Sequence, residues 1–135
     1  MSRLLLALVL LSGACADGED PAESPCTTED RGDALSVGDR FGDFELTALD
    51  PAPPAVGLNQ WTLAAGQSLD GCTVTAETFM PDHGHGSNIG AVEAAGESVE
   101  ITDLDIIMGG YWEVTVTAAC GEDDLEAIVQ LCVDA

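Results

Sequence analysis

The chain has 135 residues, 25 of them acidic against three arginines and no lysine, for a formal net charge of −22 at neutral pH. A surface of that sign repels nucleic acid and anionic membranes and attracts cations only weakly and without specificity, so nucleic acid is excluded as a partner. After the leader described next, about 120 residues remain, enough for one domain with a modest core.

Residues 1–15 read as an export signal. Arg3 supplies a positive start, Leu4 to Leu11 an apolar run, and Ser12, Gly13 and Ala14 the small residues that precede cleavage. The run is much shorter than the roughly 20 residues that cross a bilayer, and no later segment is continuously apolar, so no transmembrane helix is expected. Leu11-Ser12-Gly13-Ala14-Cys15 has the form of a lipobox with Cys15 as the lipidated residue, whereas Ala14-Cys15-Ala16 has the form of an ordinary small-x-small site. On either route Cys15 stays out of the fold. Four cysteines then remain, Cys26, Cys72, Cys120 and Cys132, an even set that closes two disulfides in an oxidising compartment.

From Ala16 to Arg40 the chain is rich in Asp, Glu, Ser, Pro and Gly and has no apolar period, which predicts an acidic disordered tether. A tether directly after Cys15 favours the lipid anchor, hence a membrane partner through lipid and a place in the cell envelope. That place is an outer-membrane lipoprotein or, without the anchor, a periplasmic or secreted protein. Arg31-Gly32-Asp33 spells an integrin-binding tripeptide, but three common linker residues arise in that order by chance.

Over residues 41–135 short alternating segments are separated by Gly, Pro and Asp, the pattern of strands. Strands are expected near Phe41–Leu49, Leu58–Ala64, Cys72–Phe79, Ala91–Glu93, Ser98–Ile107, Tyr111–Ala119 and Leu125–Val133. The fold class is therefore all-β, an immunoglobulin-like antiparallel β-sandwich of about seven strands. Side chains two apart share a face, so the core is expected from Trp61 and Leu63, Val74 and Ala76, Leu104 and Ile106, Trp112, Val114 and Val116, and Leu125, Ala127, Val129 and Leu131.

Gly121–Asp124 is expected to be the hairpin joining the last two strands. In an immunoglobulin-like order the third strand runs antiparallel to the sixth, which brings Cys72 to Cys120, both of inward parity. Cys132 lies on the other face and at the other end, where the tether reaches it, leaving Cys26 as its partner. This is one of three connectivities that four cysteines allow.

The same antiparallel pairing sets Met80-Pro81-Asp82-His83-Gly84-His85-Gly86 beside Met108-Gly109-Gly110-Tyr111-Trp112. Both histidines of the chain and both of its internal methionines fall in these two segments. Two thioethers with two imidazoles favour copper, Cu(I) above all, because thioether sulfur is soft and imidazole suits the late first-row metals. Zinc prefers thiolates or carboxylates beside the histidines. The candidate metal ligands are thus Met80, His83, His85 and Met108, with Asp82 able to orient an imidazole. The bland alternative is a Gly-rich turn with Met80 and Met108 capping the core.

Phe79-Met80-Pro81-Asp82-His83-Gly84-His85-Gly86, followed after a short strand by Ile107-Met108-Gly109-Gly110-Tyr111-Trp112-Glu113-Val114, resembles the bacterial YtkA-like domain, a family distantly related to FixH-like proteins. The resemblance covers roughly Leu58 to Val133. It implies an immunoglobulin-like sandwich exported to the cell envelope, often lipid-anchored, with a role in handling metal, particularly copper.

Two functions of different class follow. One is a copper chaperone or buffer using the four ligands; the other is a non-metal interaction or accessory module that meets an envelope protein. Catalysis is not expected: Asp82, His83, His85 and Ser87 carry the letters of a triad, but a working triad gathers its members from distant elements. Acidic runs such as Asp103-Leu104-Asp105 and Glu122-Asp123-Asp124 match no ordered calcium loop and read as solvated surface.

Overall fold

A computed structural model describes Cys26 and residues 35–134. The expected signal peptide, Cys15 and the tether residues 16–25 and 27–34 lie outside the described residues. Among those described, no helix is long and apolar enough to cross a membrane.

Eight strands follow one another: β1 (Arg40–Phe41), β2 (Phe44–Asp50), β3 (Gly57–Ala64), β4 (Thr73–Phe79), β5 (Ile89–Ala95), β6 (Ser98–Ile106), β7 (Gly110–Ala119) and β8 (Leu125–Val133). They form two antiparallel sheets, β1-β2-β3-β6-β5 and β4-β7-β8. The chain is an all-β sandwich. With β2 to β8 taken in order as seven strands, a four-stranded and a three-stranded sheet result, an arrangement compatible with the constant-type immunoglobulin order.

Period-2 alternation is what makes these segments strands. β8 reads Leu-Glu-Ala-Ile-Val-Gln-Leu-Cys-Val and alternates strictly between buried and exposed along its length. Trp61, Leu63, Leu104, Ile106, Trp112, Val114, Val116, Leu125, Ala127, Val129 and Leu131 all enter the core, joined by Phe44, Leu46, Val99 and Ile101. Val74 and Ala76, on one edge strand of the smaller sheet, pack against it only partly buried.

Three expectations change. The strand expected over Phe41–Leu49 is a hairpin of two strands, since Gly42 turns at φ +54° and Phe41 pairs back onto Phe44. The short strand expected at Ala91–Glu93 extends from Ile89 to Ala95, held along its length by β6. Residues 35–39 also pack on the domain: Leu35 is buried in the core, and the turn after it is bonded to β2 through Gly38 N donating to Leu46 O (2.8 Å) and Leu46 N donating to Asp39 O (2.9 Å). One apolar side chain in an acidic segment is no periodic signal, so only packing reveals it.

Cys72 is joined to Cys120, and Cys26 to Cys132. The first bridge follows from register, for Thr73 opposes Ala119 and the next residues outward are the two cysteines. Two such bridges belong to an oxidising compartment outside the cytoplasm.

Candidate metal centre at the Met/His rim

β4 runs antiparallel to β7, with Phe79 opposite Glu113. The loop after β4 therefore meets the loop before β7 at one end of the sandwich. Met80 is 1% exposed, and its terminal methyl lies where a β-carbon on Gly110 would sit, 2.7 Å away. Gly110, at φ +127°, leaves the space that the thioether side chain fills.

The histidine loop is a tight turn folded on Met80. The Met80 carbonyl accepts from His83 N (3.1 Å) and Gly84 N (2.8 Å), while Met80 N donates to His85 O (2.7 Å). This makes Met80 and His85 an isolated antiparallel bridge. Residues directly opposite in such a bridge have β-carbons about 4.5–5.5 Å apart on one face, so the buried thioether and the half-buried imidazole share the inward side.

His85 sits edge-on to Trp112, with ring centroids 6.1 Å apart and planes at 68°. Trp112 in turn donates its indole N–H to the Met108 carbonyl at 2.9 Å. One buried indole thus links both loops. His83 is exposed, and its ring centroid is 5.7 Å from that of His85. Two imidazoles sharing one ion through bonds of about 2 Å have centroids roughly 5–6 Å apart, which matches this spacing.

His85 Nδ1 lies 3.2 Å from the Gly86 carbonyl oxygen. A carbonyl only accepts, so the proton of a neutral ring belongs on Nδ1 and the Nε2 lone pair is left for a ligand. Met108 is half-buried against the core. The structure therefore brings His83 to His85, Met80 to His85 and Gly110, and Met108 to Trp112. Among the described residues no three His, Cys, Asp or Glu side chains gather at metal-binding distance. An ion held here would complete its ligand set with thioether sulfur, a donor set that fits a soft monovalent copper ion.

Several supporting residues carry no sequence signal. Thr78, nearly buried, accepts from Ser87 N (2.7 Å), and its hydroxyl lies 3.0 Å from Ser87 O and 2.8 Å from Ser87 Oγ. That anchors the far side of the histidine loop to β4 and occupies the serine of the triad-like letters. Gly86 fits because a β-carbon there would collide with the Thr78 carbonyl.

Tyr111, buried on the outer side of the smaller sheet, donates its hydroxyl to Glu113 Oε1 at 2.9 Å. Burial first, then the bond to Glu113 and its charge, raise the phenol to about 12; Gln130 offsets part of this and the Asp82 charge adds to it. Comparison of the chain with models of known families, with curated proteins and with solved structures found no match.

Proposed function

We propose that the protein is an exported, lipid-anchored envelope protein of the YtkA-like kind that binds Cu(I) through Met80, His83, His85 and Met108, as a chaperone or buffer. Cys15 carries the lipid and the acidic tether spaces the domain from the membrane. The observation that carries this reading is the convergence of both glycine-bearing loops at one end, with the two imidazoles 5.7 Å apart and His85 bridged through its backbone to the buried Met80.

In such a site the residues divide the work. His85 offers Nε2 from a ring steadied by the Gly86 carbonyl and Trp112, and exposed His83 is the first to meet an incoming ion. Bound copper supplies only affinity for soft donors; no reaction is assigned to it.

Titration of the disulfide-intact protein with Cu(I) against a competing chelator tests the reading. A one-to-one complex is expected, abolished by changing His83 and His85 together to Ala. Because neither ring lies in the core, the unfolding temperature of the copper-free variant should stay close to that of the parent. Absence of a complex, with no metal-dependent rise in melting temperature, would leave the rim as turns and favour a non-metal interaction module. Fatty-acid labelling in cells, lost on Cys15→Ala, checks the anchor separately.

A further inference from the structure

Both tryptophans of the chain, Trp61 and Trp112, are fully buried, but their indole N–H groups differ. Trp61 Nε1 finds no hydrogen-bond partner among the described residues, so this core holds an indole for its volume alone. Trp112 Nε1 donates to the Met108 carbonyl at 2.9 Å. A buried indole commonly finds a partner; here the acceptor belongs to a candidate ligand on the opposite loop from the histidines.

Three of the four candidate ligands are arranged about Trp112. Phe79 opposes Glu113, so the same register carried one residue further sets Met80 beside Trp112, both of them buried. The His85 ring lies against the indole with centroids 6.1 Å apart, and the antiparallel bridge to Met80 fixes the His85 backbone. Met108 has no such support from a strand, since residues 107–109 lie between β6 and β7, and its side chain is only half-buried. A thioether on an unfastened loop would lose both backbone and rotamer freedom on meeting an ion. The bond from Trp112 removes part of that cost in advance, because the indole that holds the Met108 carbonyl is itself held by the core.

We propose that Trp112 is a positioning residue of the rim: its indole N–H, through the Met108 carbonyl, holds the Met108 thioether within reach of an ion bound to His85. This rests on the copper reading above and names the residue that assembles its ligand set. Trp112 does not touch the ion in this role; it orients a group that does. Outer hydrogen bonds of this kind at metal centres lower metal affinity about 10–100-fold when they are lost.

The test replaces both tryptophans of the disulfide-intact protein by β-(3-benzothienyl)alanine, an analogue of the same shape with sulfur in place of the indole N–H. Because Trp61 Nε1 has no partner among the described residues, the exchange removes the bond to Met108 and leaves the packing in place. Cu(I) is titrated without oxygen against a competing chelator while the methionine methyl resonances, assigned with Met80→Leu and Met108→Leu, are followed by carbon NMR. In the parent, Cu(I) should shift both the Met80 and the Met108 methyl. In the analogue protein the Met80 shift should remain, the Met108 shift should be lost, and the affinity should fall about tenfold or more. Met108→Leu in the analogue protein should then weaken binding no further, because the two changes act on one interaction. Trp112→Phe, which keeps an aromatic ring and lacks the donor, should repeat the pattern in the ordinary chain. An affinity equal to the parent's, a Met108 shift that persists, or a loss that adds in full to that of Met108→Leu would overturn the proposal. A parent that binds no Cu(I) would overturn it together with the copper reading, whereas a parent complex indifferent to the analogue would overturn the positioning role alone.

Discussion

Met80 shows how one side chain serves two purposes. Its position in the core asks only for an apolar residue of its volume, whereas the copper reading asks for its sulfur. Met80→Leu separates them: a volume-conserving exchange costs less than about 1.5 kcal/mol in denaturant unfolding, while the Cu(I) affinity should fall tenfold or more. Equal affinity in the variant would remove Met80 from the ligand set. Tyr111 offers a second measurement, since it is the chain's single tyrosine. Its phenolate absorbance should titrate with a midpoint near 12. The folded value lies above the unfolded one, so the stability contributed by the neutral, bonded hydroxyl is complete below about pH 10 and is lost as pH rises toward 12. A midpoint near 10 would contradict the buried bond to Glu113. The four candidate ligands were legible as residue types gathered in two segments. The link that Trp112 makes between the two loops and the bond from Tyr111 to Glu113 were not, because an inward tryptophan and a strand tyrosine look the same in sequence whether or not a polar atom finds a partner.

The β1–β2 hairpin is the element whose tip joins the two sheets. Asp43 N donates to the Glu126 carbonyl at 3.2 Å, and Glu126 N donates to Asp43 Oδ2 at 3.1 Å. A β-carbon at Gly42 would collide with that same carbonyl, at a backbone conformation that disfavours side chains. Gly42→Ala should therefore cost about 2–3 kcal/mol in denaturant unfolding, more than its exposed position would indicate. The histidine loop depends on another small contact. Thr78→Val keeps the shape of the side chain but removes the hydroxyl that accepts from Ser87 N; a loss of about 1–3 kcal/mol is expected. If the rim holds copper, the same change should weaken the complex without touching a ligand. Strand limits were legible to within a few residues wherever alternation was strong, as in β3, β7 and β8. β5, with Gly and Ala at four of its seven positions, offers little pattern, and its length comes from pairing with β6.

For the molecule as a whole, the Cys72–Cys120 bridge closes a separation of 48 residues, a constraint on the unfolded chain worth about 4 kcal/mol in the entropy model. Replacing both cysteines by Ala should lower the unfolding free energy by that order; a change under about 1 kcal/mol would show that the unfolded chain is already restricted there. Amino-acid order alone determined the all-β class, most of the inward residues and the opposition of Cys72 to Cys120, because alternation, turn residues and antiparallel pairing are local or nearest-neighbour rules. Tertiary structure decided what those rules cannot reach: the burial of Leu35, the docking of the β1–β2 tip on β8, and the sinking of Met80 under Gly110. Each joins residues distant in sequence through packing, and no periodic pattern records which distant surfaces meet.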